Sequence, residues 1–155
     1  MTRLLTCVIL VLALTATLAE AKSQRLEVTA KIVQTTFPGD LTSPKLGDQL
    51  ITSVVLFDKH DKAEKVGTGA GVCTIVSVPP PPQPPNPDAT FLQCLLTAEF
   101  AKGQILFGGV APLPQPGIVA TFGIVGGTDR FQKARGEATL TVISPDTQEA
   151  VFDLE

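Results

Sequence analysis

Gly123-Ile124-Val125-Gly126-Gly127-Thr128-Asp129-Arg130-Phe131-Gln132-Lys133-Ala134-Arg135-Gly136-Glu137-Ala138-Thr139-Leu140 decides the fold. A strand runs into a double-glycine turn, and a short amphipathic bend follows. Ala134-Arg135-Gly136 then opens another strand. Outward from this centre the same grammar repeats. Val119 to Val125 and Arg135 to Ile143 read as the sixth and seventh strands. Pro145-Asp146 starts a turn, and Gln148 to Leu154 reads as the eighth.

Towards the N-terminus, Pro112 to Gly117 is a Pro-rich turn between strands at Gly103 to Val110 and Val119 to Val125. Phe91 to Phe100 is the fourth strand. Val78 to Asp88 holds Pro79-Pro80-Pro81-Pro82-Gln83-Pro84-Pro85-Asn86-Pro87, which suits polyproline II and not a central strand. It reads as a stiff hairpin loop, the rival reading being a dock for a proline-recognition module. Val66 to Val78 is the third strand, with Gly67, Gly69 and Gly71 on one face, as a barrel corner requires. Asp58 to Lys65 is a charged turn, Asp48 to Phe57 the second strand and Leu41 to Gly47 a loop. In the first strand Leu26, Val28, Ala30 and Ile32 alternate with Glu27, Thr29 and Lys31 until Phe37-Pro38-Gly39-Asp40 breaks it. Eight short strands with frequent turns and no sizeable helix argue an all-β barrel or sandwich.

A register test is available. With Cys73 opposite Cys94, Ile75 faces Leu92, Gly71 faces Leu96, Gly69 faces Ala98 and Gly67 faces Phe100. Thr74 then faces Gln93 and Thr68 faces Glu99, so an apolar and a more polar face sort themselves out. The hairpin centre falls inside the proline run. A structural disulfide between Cys73 and Cys94 is the natural reading, and Cys7 belongs to the leader.

The leader is a predicted secretory signal peptide. Arg3 supplies the positive start, Leu4 to Leu18 is apolar, and Ala19-Glu20-Ala21 is a cleavage site. Residues 1–21 would be removed, leaving one domain over 22–155 in a secreted or periplasmic location; an uncleaved anchor is the alternative. The apolar run is too short for stable membrane insertion as a spanning helix. The chain has 12 basic and 15 acidic residues, net charge −3, scattered without a basic patch. That disfavours nucleic acid as a partner. All eight aromatics are Phe, which disfavours sugar- and base-stacking surfaces.

The chain resembles the allene oxide cyclase and dirigent family of small eight-stranded antiparallel β-barrels. Leu46-Gly47-Asp48 with Leu56-Phe57, Val66-Gly67-Thr68-Gly69-Ala70-Gly71-Val72-Cys73, Gly103-Gln104-Ile105 with Gly108, and Val125-Gly126-Gly127-Thr128 match its motifs in order. Secreted bacterial members look most similar, and Ala134-Arg135-Gly136 is more dirigent-like. The resemblance implies a small hydrophobic ligand, fatty-acid-like or phenolic, no cofactor, and a homo-oligomer, dimer or trimer. It also implies ring closure of an apolar substrate or guided coupling of phenoxy radicals. The cyclase carboxylate and amide would lie on the first strand. The corresponding Lys31-Ile32-Val33-Gln34-Thr35-Thr36 holds Gln34 but no Asp or Glu.

Four residues are the catalytic candidates. Gln34 could position a water. Asp129 and Arg135 flank the bend, where the family uses Asp and Arg. Glu99 could be an internal acid. Three have a plainer reading: Asp129 capping or stabilising its turn, Arg135 tethering it through carbonyls or a carboxylate, Glu99 pointing outward and paired with a lysine. His60, the only histidine, sits in Asp58-Lys59-His60-Asp61-Lys62, so a multi-histidine metal site and a Ser-His-Asp triad are disfavoured. Two functions stay open. One is a barrel that binds a small apolar ligand and steers or catalyses its cyclisation or coupling. The other is a side-chain-filled barrel acting as a structural or interaction module, with Val72, Leu95 and Val55 on an outer face.

Overall fold

The computed structural model describes residues 23–39, 43–79 and 89–155. The expected signal peptide and Pro80 to Asp88 of the proline run lie outside the described residues. Eight strands form: β1 (Gln24–Thr36), β2 (Gln49–Asp58), β3 (Lys65–Ser77), β4 (Phe91–Phe100), β5 (Gly103–Pro112), β6 (Val119–Gly127), β7 (Gly136–Ser144) and β8 (Thr147–Leu154). Each pairs antiparallel with its sequence neighbours. β8 pairs with β1 from Gln24↔Leu154 to Lys31↔Thr147, closing an eight-stranded barrel. The all-β barrel is the fold that the sequence implied.

The β3–β4 register is the one expected, from Gly67↔Phe100 through Cys73↔Cys94 to Ile75↔Leu92. Cys73 and Cys94 are disulfide-bonded. Alternation sorts the inner face: Val28 and Ala30 of β1, Leu56 of β2, Ile75 of β3, Leu92 and Ala98 of β4, Ile105 and Phe107 of β5, and their counterparts are buried. The inward face of β3 carries Gly67, Gly69 and Gly71. Space dictates this: a Cβ at Gly67 would overlap the carbonyl oxygen of Glu99 on the adjoining strand.

Bulges bend the wall. An extra residue appears at Val33 in β1, Val76 in β3, Val125 in β6 and Ile143 in β7, where the pairing register shifts. In each case the preceding residue, Ile32, Ile75, Ile124 or Val142, keeps the inward parity. The extra residue stands exposed. The bulges therefore account for four of the large apolar side chains on the surface.

Charge is concentrated on the outer wall of β1 and β8 and in the loop after β2. Arg25 pairs with Glu27 at 2.8 Å and Asp153 at 3.1 Å, and Lys59 reaches Glu27 at 3.0 Å and Glu149 at 3.4 Å. The Arg25 and Lys59 hydrogen bonds hold the Glu27 carboxyl below its ordinary value of 4.5. Backbone N–H donors of Asp61 and His60 lower Asp58, and the Ser144 and Thr147 hydroxyls lower Asp146, both from 3.8. A carboxylate lowered in the folded state adds stability above its unfolded value and loses it as pH falls through the folded one. The melting temperature should thus stay level above about pH 5 and fall only as pH drops below the 4.5 to 3.8 range of the unfolded groups. The fall should be modest, because these groups are exposed. Thermal melts across the acid range check this; a fall beginning near neutrality would contradict it.

Candidate functional site

The two ends of the barrel differ. One end is closed. Phe122, Phe107, Phe152, Phe100 and Phe131 form a chain of ring contacts with centroids 5.3–6.1 Å apart. Such tilted and edge-to-face rings pack favourably. Phe131 comes from the 3-10 turn Asp129–Phe131 and plugs the lumen together with Ala134 and Leu154.

Towards the other end the lumen opens into a cavity of about 120 Å³. Its floor is Phe107 and Phe122, and its walls include Leu50, Val54, Leu92, Leu96, Ala111, Ala120, Leu140 and both cysteines. Pro112, Pro114 and Ile118 form part of the mouth. Exposed Val33, Ile51, Val76, Val119 and Ile143 lie on strand ends around it, so the rim is apolar too. The loops here are anchored to the strands: Gly117 N–H donates to the Val142 carbonyl at 2.8 Å, and Gly47 N–H to that of Ile75 at 2.9 Å. Inward small residues explain the void. Ala30, Gly69, Gly71, Ala111 and Ala120 leave room where the closed end has phenylalanines.

Polar side chains are few. Gln148 of β8 lies between Ala30 and Val142 on the inner face, and Thr52 of β2 lies opposite Gly71. Both line the cavity. Ala70 and Thr97 pair with each other on the outer face and border the cavity where Gly69 and Gly71 thin the wall. Among the described residues no ionisable side chain lines it, and no group of three or more His, Cys, Asp or Glu side chains is placed to hold a metal.

The four sequence candidates lie elsewhere. Gln34 follows the Val33 bulge and pairs with Ser53, so the extra residue turns it outward, and it is exposed. Glu99, between Thr68 and Gln104, is an exposed outer-wall residue. Asp129 and Arg135 share the β6–β7 turn at the closed end, both exposed. Asp129 adopts φ +49°, which Asp tolerates better than most residues, and its carboxylate accepts from Thr128 Oγ1 at 3.3 Å. Arg135 donates to the carbonyl of the preceding residue, Ala134, at 2.7 Å. The structure brings Asp129 and Arg135 into one turn and joins neither to Gln34 or Glu99. His60 is exposed, in a loop whose backbone caps Asp58. Sequence reasoning passed over Gln148 and Thr52. Their signal was parity, since each falls on the apolar alternation of its strand.

No protein-family model matches this chain, and no curated protein does. Solved structures do share its architecture. A pyocyanin demethylase superposes with a TM-score of 0.66 at 24% identity, over 85% of this chain and 100% of that one. AbnU, an exo-specific intermolecular Diels-Alderase, gives 0.63 at 17% identity, over 84% of this chain and 98% of its own. The Diels-Alderase AbmU from Streptomyces koyangensis gives 0.65 at 15%, over 88% and 72%. At these identities the likeness is one of fold.

Proposed function

We propose that this protein is an exported β-barrel that binds one small apolar molecule in the open half of its lumen and steers its cyclisation or coupling. The observation that carries the reading is the apolar cavity with an apolar rim, closed below by phenylalanines. Burying a ligand's hydrocarbon surface there is favourable by roughly 25 cal/mol per Å². An eight-stranded barrel is just wide enough to be filled by side chains or to hold one small ligand.

The chemistry supported is of a restricted kind. A lining without an acid, a base or a nucleophile suits a reaction that needs orientation and exclusion of water. Ring closure by cycloaddition moves electrons within the reacting atoms and transfers no proton. Two of the barrels sharing this fold are Diels-Alderases, which agrees with that reading. The finer dirigent or allene oxide cyclase assignment rests on the sequence motifs alone. Export is supported by the leader and by a disulfide in the lumen wall.

A second reading draws on the outer wall. Leu95, Val110 and Val125 are exposed on neighbouring strands, and Val72 pairs with Leu95 beside them. This patch favours an interaction module or homo-oligomer, whereas Val55 lies apart, between Lys31 and Thr68. The closed half of the lumen fits a filled barrel, and the open half does not.

The experiment is a fluorescence titration with the uncharged apolar dye N-phenyl-1-naphthylamine. Wild-type protein should brighten it. Ala120→Trp, which places an indole in the cavity, should weaken binding at least about tenfold with an unchanged far-UV spectrum. Dye binding that persists in Ala120→Trp and in Leu50→Trp would place the dye outside the lumen and reject the reading. Native mass spectrometry of the exported protein would identify a retained ligand and count subunits.

A further inference from the structure

We infer that the cavity selects an uncharged ligand carrying one carbonyl or hydroxyl group, received by the Gln148 amide, and discriminates against carboxylates. This rests on the lumen-binding reading and names its ligand class. Gln148 stands on the inner face of β8 between two apolar neighbours, Ala30 and Val142. Among the described residues no side-chain hydrogen bond engages its amide. Gln148 is half-buried, so its amide can reach water through the mouth. A ligand that displaces that water leaves the amide unsatisfied, at a cost, unless the ligand supplies a partner.

The amide has both a donor NH₂ and an acceptor oxygen. It can donate to a carbonyl and can either donate to or accept from a hydroxyl. The Thr52 hydroxyl, also on the lining, has the same dual capacity. Neither group can neutralise a charge. Lys31, next to Ala30 in sequence, faces the outer wall, its Nζ 5.3 Å from the centre of the Phe57 ring. The arginines are not on the lining. A carboxylate drawn into the lumen would lose its water and gain no cation, an exchange that strongly disfavours the charged form. The recognition chemistry is therefore that of a ketone, an enone, a lactone, an alcohol or a phenol on a hydrocarbon frame, and not that of an ionised fatty acid.

Competition against N-phenyl-1-naphthylamine tests this with 2-decanone, 1-decanol and decanoate at about pH 8, where the acid is ionised. The ketone and the alcohol should compete at least about tenfold better than decanoate. Gln148→Met keeps the volume and removes the amide. It should narrow the advantage of 2-decanone over decanoate by about tenfold. Gln148→Lys puts a cation in the lumen and should reverse the order in favour of decanoate. Equal competition by decanoate and 2-decanone in the wild type, or an unchanged ranking in both variants, overturns the inference while leaving lumen binding intact. Loss of dye binding by the wild type, or dye binding indifferent to Ala120→Trp, overturns the lumen reading and the inference with it.

Discussion

Gly136→Ala should cost about 3 kcal/mol of stability or more. Two separate causes act at this position. Gly136 has φ +116°, a conformation that L side chains rarely adopt. A Cβ there would also overlap the carbonyl oxygen of Asp153, the residue opposite Glu137 in β8. That oxygen belongs to a ladder strand of the closed barrel, so it cannot move aside as a flexible side chain would. Gly117→Ala is the control. Gly117 has φ +90° and open space around it, so its variant feels the backbone term without the clash and should lose only about 1 kcal/mol. Urea denaturation of the two variants, at equal slope, separates the terms. Domains of this kind have about 5–15 kcal/mol in total, so Gly136→Ala should be partly unfolded on mild heating. Equal losses in the two variants would mean that β7 and β8 can part enough to admit a methyl group, and that the barrel seam is softer than its pairing implies.

Legibility in the sequence followed the physics of alternation. Within an uninterrupted strand a period of two assigns faces, and the β3–β4 hairpin could be registered residue by residue because the cysteines fixed one pair. The same logic broke at bulges. Ile32-Val33, Ile75-Val76, Ile124-Val125 and Val142-Ile143 are doublets of β-branched residues, and read without the partner strand they make both faces look apolar. With the pairing in view, each doublet is one inward residue followed by the extra one. Gln34 shows the consequence. Counting by twos from Ala30 and Ile32 puts it in the lumen, and the Val33 bulge puts it outside.

The functional lining was hidden for a related reason. Two of the motifs that betray the fold, Gly126-Gly127-Thr128 and Ala134-Arg135-Gly136, lie where the chain must turn at the closed end, opposite the cavity mouth, whereas Val66 to Cys73 carries Gly69, Ala70, Gly71 and Cys73 of the lining. The two turn motifs record what lets the barrel close. The cavity is made by small residues, Ala30, Ala111 and Ala120, whose identity signals nothing until the neighbouring strands are placed around them. Gln148 in β8 and Thr52 in β2 stood in the alternation of their strands as polar residues at apolar positions, a sign of the lining that a single sequence carried.

Breaking the Cys73–Cys94 bridge should lower stability by about 3 kcal/mol, the second large effect expected of this fold. The bridge spans 21 residues, and in the chain-entropy account it acts on the unfolded chain by forbidding the loop to open. It is also part of the cavity wall, since both cysteines line the lumen. Two ways of removing it therefore have different outcomes. Reduction leaves both sulfurs in place, so stability should fall while dye affinity at a temperature below the transition stays close to that of the oxidised protein. Cys73→Ala with Cys94→Ala should lose a similar amount of stability and also enlarge the cavity, changing affinity in the folded protein. Because either single substitution already breaks the bridge, the double variant should be little worse than the worse single one, a marked departure from additivity. Denaturation midpoints of the oxidised, reduced, single and double forms test the stability arm, and dye titrations test the wall. A loss below about 1 kcal/mol on reduction would mean that the proline-rich connection already restrains the unfolded hairpin, leaving the bridge little entropy to remove. Equal changes in affinity by both routes would mean that the bond itself, and not the sulfur volume, shapes the wall at that point.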